Sequence, residues 1–300
     1  MNQVRCSLFI GLITAALAAG AADRFDIAIT VDDLPAHGSV LPPGVTRVGI
    51  AETYIKVLKA HGVPEAFGFV NARALAVEPS SVQVLDLWRK AGYPLGNHTY
   101  SHLSLDAAES EEVWERDVEA GEQPIVPRMS GADWRYFRYP FLAAGNDPVR
   151  REGGFAFLRT RGYKIADVSV AFGDWDYTDA YTRCASKGDN ASIEAMKAQY
   201  LRGVDDEIAR MKANSQQVYG RMIPQILLIH IGAFASITLD DVMKRLDAAG
   251  ARYVTLAQAQ TDPAYAQPGS GTVVARAAKE RGMHLPAAKE DRLDLNNLCR

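Results

Sequence analysis

Apolar positions along the chain switch between the two periods that mark strands and helices. Residues 25–31 form an apolar, β-branched run of the kind that makes a strand buried on both faces. After it, Val48, Ala51, Tyr54, Ile55 and Leu58 recur at helical spacing and predict a helix over 47–60, stopped by His61-Gly62. The succession then repeats. Strands are predicted at 66–70, 93–96, 136–139 and 163–170, with helices at 80–91, 110–120 and 147–161 between them. A long helix over 192–214, a strand at 225–231, a helix over 239–249 and a strand at 252–256 complete the series. Strand and helix thus alternate about seven times between residues 24 and 257, which calls for parallel strands joined by crossover helices. A closed barrel and an open doubly wound sheet both satisfy this α/β pattern. In either one, chemistry gathers at the C-terminal ends of the strands.

The two ends of the chain read differently. Arg5, an apolar run over 8–19 broken only by Thr14, and the small residues Ala19-Gly20-Ala21 have the form of a secretory signal peptide over 1–21, the rival being a retained N-terminal anchor. Residues 24–260 form the domain itself. Residues 261–300, rich in Ala, Pro and charge, read as a C-terminal appendage with a helix near 273–281 behind a Pro/Gly linker at 267–271. Export to the periplasm or outside the cell follows from the leader, and it counts against a nucleotide cofactor, since ATP and NAD are scarce there.

Composition adds two exclusions. With 48% hydrophobic and 23% charged residues in 300, the chain is an ordinary globular protein, and its net charge of −3 gives no basic field for nucleic acid. Three cysteines are too few for a disulfide framework. Cys184 and Cys299 remain once the leader is removed; an oxidising compartment permits them to pair, and their geometry decides whether they do.

Position singles out the chemistry. Asp32-Asp33 directly follows the first strand, His98 and His102 follow the third, Arg138 ends the fourth, Asp174 and Asp176 follow the fifth, and His230 ends the sixth. Adjacent carboxylates at a strand end point to different sides, so one is able to bind a metal while the other moves a proton; Asp-Asp-Leu-Pro is also good turn chemistry. On a helical turn, His98 and His102 would share a face and meet one cation. Arg138 is placed to keep Asp32 ionised, or it is a surface arginine. His230 suits a general acid, or a hydrogen-bonded core histidine. His37, His61 and His284 match no pattern. Two histidines with a carboxylate also describe the iron(II) facial triad, which the strand–helix alternation disfavours.

Taken together, these residues resemble the polysaccharide deacetylases of the NodB-homology type, carbohydrate esterase family 4, over roughly residues 25 to 255. Thr30-Val31-Asp32-Asp33 is similar to the first motif of that family, His98-Thr99-Tyr100-Ser101-His102 to the second, Arg138-Tyr139-Pro140-Phe141 to the third and Leu228-Ile229-His230 to the fifth. The resemblance implies a distorted (β/α) barrel of seven strands. It implies a divalent metal, by donor chemistry zinc, held by Asp33, His98 and His102. It also implies Asp32 as base positioned by Arg138, the Phe141 N–H at the oxyanion, His230 as general acid and an acetylated glycan as substrate. Two departures mark a divergent member. Leu34-Pro35 stands where a glycine is expected, and in the fourth motif Asp174 and Asp176 compete for the role of tuning His230. Tyr139, Phe141, Trp175 and Tyr177 are candidates for stacking on sugar rings. A hydrolase of a non-sugar C–N bond and a non-catalytic carbohydrate-binding relative remain the alternatives.

Overall fold

The most apolar stretch of the sequence becomes the centre of the sheet. A computed structural model describes residues 24–286 and 293–300, so the expected leader lies outside the described residues. Strands β1 (Phe25–Leu34), β2 (Ala66–Val70), β3 (Leu95–Asn97), β4 (Tyr136–Phe137), β5 (Lys164–Ile165), β6 (Val170–Ala171), β7 (Gln225–His230) and β8 (Ala251–Val254) are all paired in parallel. Their order is β5-β4-β3-β2-β1-β7-β6, with β8 pairing the first half of β1. The sheet curls into a half-barrel covered by helices, the (β/α) architecture that the alternation predicts. Parallel pairing leaves every strand's C-terminal end on one rim.

Helices α1 (Arg47–Ala60), α2 (Ala72–Val77), α3 (Val82–Lys90), α4 (Glu111–Gly121), α5 (Pro148–Thr160), α6 (Thr178–Lys187), α7 (Asn190–Tyr219), α8 (Ala233–Ala248), α9 (Leu256–Ala259) and α10 (Val273–Glu280) fill the crossovers and the C-terminal segment. Their starts follow the local chemistry. Thr46 accepts the Gly49 N–H at α1, Ser110 the Val113 N–H at α4 and Asp147 the Arg150 N–H at α5, each satisfying a backbone donor that the first turn leaves free. Among the described residues, no helix is long and apolar enough to cross a membrane.

Eight strands replace the expected seven because the strand expected over 163–170 is two. Lys164-Ile165 pairs with β4 at one edge, and Val170-Ala171 pairs with β7 at the other. Between them the chain crosses the opening of the half-barrel. The Ala166 N–H donates to Phe137 O at 2.8 Å, and the Ser169 N–H to Ile226 O at 3.0 Å. Asp167, buried in this crossing, leaves the ladder to pair with Arg276 of α10 at 2.7 Å. Helix α6 is also additional, since residues 171–190 give no clean period of their own.

The segment beyond residue 260 is stitched to the rim. The Val273 N–H donates to Val168 O and the Gly271 N–H to Leu142 O, both at 2.8 Å, while the Ala144 N–H donates to Ser270 Oγ at 2.9 Å. Cys184 of α6 and Cys299 form a disulfide across 115 residues, which answers the pairing question that sequence leaves open.

Candidate active site

The two carboxylates stand at the end of β1, where Asp32 is the register partner of His230 on β7. A regular strand would send their side chains to opposite faces. Instead the register against β2 slips between Val31 and Leu34, and Asp33 takes φ 68. That left-handed turn corrects the expectation of divergent carboxylates, because both face the same imidazole. Asp32 Oδ2 lies 3.7 Å and Asp33 Oδ1 3.6 Å from His98 Nε2. The Leu34–Pro35 peptide that follows is cis. Arg138, buried, donates from Nη1 to both Asp32 oxygens at 3.2 Å, from Nη2 to Thr30 Oγ1 at 3.0 Å and from Nε to Ala166 O at 2.6 Å. These charge-assisted bonds offset the cost of taking the guanidinium out of water and hold the Asp32 carboxylate still.

His98 and His102 do meet, but not on a helix. The segment is an irregular loop with Thr99 at φ 63 and His102 at φ 61. Neighbours over-determine this strained path. The Thr99 N–H donates to Asn97 Oδ1 at 2.8 Å, the Leu103 N–H to Thr99 Oγ1 at 3.0 Å, and Asp117 of α4 accepts from the Ser101 N–H and hydroxyl at 3.0 and 2.9 Å. Gly121 lets α4 come this close, since a Cβ there would stand 2.5 Å from Asn97 Oδ1.

The two imidazole rings lie 4.9 Å apart, and Asp33 Oδ1 is 3.6 Å from each Nε2. A carbonyl only accepts, so His98 Nδ1 donates to Arg138 O at 2.7 Å and Nε2 is the ring nitrogen that faces the site. Burial and the neighbouring His98 push the His102 pKa down to about 4, against the pull of Asp33 and Asp32. Burial works to raise the Asp33 pKa, but the His37 hydrogen bond and the charges of His98, His230 and His102 outweigh it and hold Asp33 well below the usual carboxylate range. Two imidazole nitrogens and one carboxylate oxygen thus sit within 4.8 Å of one another. Ligands 2.0–2.2 Å from a tetrahedral cation stand roughly 3.3–3.6 Å apart, a spacing that the two Asp33–histidine distances match.

Across the rim, Asp174 follows β6 and turns both oxygens to His230. Oδ2 accepts the backbone N–H at 2.7 Å and Oδ1 faces Nδ1 at 2.9 Å. Of the two carboxylates in competition, Asp174 is therefore the one that meets His230. Burial disfavours the imidazolium, but the Asp174 charge and hydrogen bond, with Asp33 and Asp32 beyond, raise the His230 pKa to about 9. Tyr54 donates its hydroxyl to His230 O at 2.6 Å and fixes the strand end.

The aromatic candidates divide. Phe141 is 73% exposed and packs on the His102 ring at 4.5 Å, and Trp175 is 50% exposed after Asp174, so both border the rim. Tyr139 is a correction. It is buried, stacked on Trp114 at 5.7 Å, and has no face for substrate. Tyr177 is another, stacked on Phe234 at 4.7 Å with its hydroxyl bonded by Gln199. The loop of Phe141 (φ 58) and Leu142 (φ 52) is left-handed. Leu142 and Ala143 N–H groups close the loop on Tyr139 O and Pro140 O, whereas the Phe141 N–H has no protein acceptor among the described residues.

Two site residues escaped the sequence reading. His37 Nδ1 stands 2.6 Å from Asp33 Oδ2, and Asn71 Nδ2 donates to Asp33 Oδ1. Asn71 directly follows β2, so the criterion of a polar residue at a strand end would have found it. His37 lies in a proline-containing turn with no periodic signal.

The α/β half-barrel thus carries on its rim an Asp-His-His set that could hold one metal ion. The family model described as polysaccharide deacetylase matches residues 19–154, and over that stretch the chain is similar to that family. No curated protein matches the sequence. Among solved structures, the chain resembles the chitin deacetylase of the fungal pathogen Colletotrichum lindemuthianum (TM-score 0.53, 19% identity, 80% of this chain and 89% of that one). It also resembles a polysaccharide deacetylase of Bacillus cereus (0.52, 18%, 77% and 92%) and a family 4 carbohydrate esterase pseudoenzyme of Bacillus anthracis (0.51, 14%, 76% and 63%). At these identities the likeness is one of fold. The matched stretch contains Asp32, Asp33, His98, His102 and Arg138 to Phe141, whereas Asp174 and His230 lie beyond it.

Proposed function

We propose that this protein is an exported, metal-dependent deacetylase that hydrolyses N- or O-linked acetyl groups on a polysaccharide or cell-wall glycan. The observation that carries the reading is the meeting of three units on one rim: Asp32 with Arg138, the Asp33-His98-His102 donor set, and His230 with Asp174. Asp33, His98 and His102 would hold the ion. When bound, a divalent cation at this place lowers the pKa of water and polarises an acyl carbonyl.

The chain's own groups do the rest. Asp32, held by Arg138, accepts the proton of the attacking water. The Phe141 N–H donates to the oxygen of the tetrahedral adduct, and losing one such donor costs roughly 100- to 1000-fold. His230, protonated through its contact with Asp174, gives its proton to the leaving nitrogen or oxygen as the C–N or C–O bond breaks. Acetate and a free amine or hydroxyl result. The exposed faces of Trp175 and Phe141 suit stacking on a pyranose ring.

Zinc suits the mixed nitrogen and oxygen donors. The apolar leader and the Cys184–Cys299 disulfide support export to an oxidising compartment. A family 4 carbohydrate esterase pseudoenzyme shares the fold; the nearness of Asp32 with Arg138, the Asp33-His98-His102 set and His230 with Asp174 favours the catalytic reading here. The test is acetate release from a panel of N- and O-acetylated oligosaccharides. Release that stops with a chelator, returns with zinc and is lost in Asp32→Asn supports the proposal; full release by the chelated enzyme or by Asp32→Asn overturns it.

A further inference from the structure

His37 is an ionisable side chain at the rim that neither the motif pattern nor the proposed chemistry uses. Its backbone N–H donates to Ile231 O at 2.6 Å, which ties the turn after β1 to the residue following β7. Its ring lies 5.2 Å from that of His230. Its Nδ1 is 2.6 Å from Asp33 Oδ2, and with the side chain 29% exposed, one edge of the ring is open to solvent. A carboxylate oxygen only accepts, so Nδ1 is the donor. The two oxygens of Asp33 are thereby given different work. Oδ2 is taken by His37, and Oδ1, which also accepts from Asn71 Nδ2, lies within 3.6 Å of both His98 Nε2 and His102 Nε2. The Asp33 carboxylate is thus held from two sides, by His37 at Oδ2 and by Asn71 at Oδ1, on a backbone in the left-handed region.

We infer that His37 is a positioning residue for the metal site, holding Oδ2 of Asp33 through Nδ1 so that Oδ1 completes the donor set with His98 and His102. This rests on the metal-dependent reading above. Hydrogen bonds to a ligating carboxylate typically govern metal affinity by 10- to 100-fold.

The stereochemistry of the substitutions supplies the test. An asparagine amide places its NH2 where the histidine Nδ1 stands, and a glutamine amide places it near Nε2. Zinc alone is titrated into the metal-free protein against a competing chelating dye, with wild type, His37→Asn, His37→Gln and His37→Ala side by side. The inference expects His37→Asn to bind zinc close to wild type, and His37→Gln and His37→Ala to bind it 10- to 100-fold more weakly. Acetate release by the weak binders should recover in excess zinc. Equal affinity in all four proteins, or equal loss in His37→Asn and His37→Ala, overturns the positioning role while leaving the deacetylase reading intact. Failure of the wild type itself to bind zinc removes both.

Discussion

The Asp33-His98-His102 side of the rim lies within the stretch that the family model matches, whereas the Asp174-His230 side lies wholly outside it. The two sides treat histidine in opposite ways. On the first, loops bent through left-handed residues crowd two imidazoles around one carboxylate, and His102 is pushed down to about 4, neutral and ready to donate a lone pair. On the second, a straight strand end sets His230 against one dedicated carboxylate and raises it to about 9, charged at neutral pH. Environments that drive two groups apart in this way suit the proposed division, one histidine to bind the ion and the other to give up a proton. The cost of the first side is visible in the backbone. Of the six described non-glycine residues at positive φ, five (Asp33, Thr99, His102, Phe141 and Leu142) surround the donor set.

Separating the two sides by mutation is the way to break this contrast. The largest effect belongs to His98→Ala and His102→Ala. Each should leave the protein folded but without bound zinc by elemental analysis, and its acetate release should fall to that of chelated wild type. Next comes His230→Gln, which should lower kcat roughly 100- to 10,000-fold while zinc binding stays at the wild-type level. A loss of zinc in His230→Gln would show that the sides are not independent.

Asp174→Asn acts more gently and sharpens the electrostatic half of the contrast. A general acid must be protonated, so activity falls as pH rises through the pKa of His230, near 9 in the native protein. Without the Asp174 charge, the alkaline limb of kcat should move down toward the ordinary histidine value of about 6.5. The smallest effect on rate is expected from Cys184→Ser combined with Cys299→Ser. Kinetics at 25 °C should stay near wild type, while opening a 115-residue loop should cost on the order of 4 kcal/mol in denaturant unfolding.

The same division governs what was legible in the chain. Helix α1 and strand β2 have the predicted limits, because apolar period and turn residues agree there. Asp32, Asp33, His98, His102, Arg138 and His230 were found by one physical rule, that polar residues ending buried strands of a parallel sheet share a rim. The conformation of residues 98–102 was not legible. Its left-handed residues are imposed by Asn97, Asp117 and the close approach of Gly121, contacts far apart in sequence. For the same reason the stretch over 163–170 read as one strand, since the partner that draws Asp167 out of it, Arg276, lies more than 100 residues later. Tyr139 and Tyr177 were read as rim aromatics from their neighbours in sequence, but hydrophobic packing buried both.

The central claim is that one cation binds between Asp33, His98 and His102. Anomalous diffraction from zinc-soaked crystals, collected on either side of the zinc absorption edge, tests it directly. The account predicts a single strong peak about 2.0–2.2 Å from Asp33 Oδ1, His98 Nε2 and His102 Nε2. A zinc-loaded crystal with no peak there, or with its strongest peak elsewhere on the protein, would contradict it.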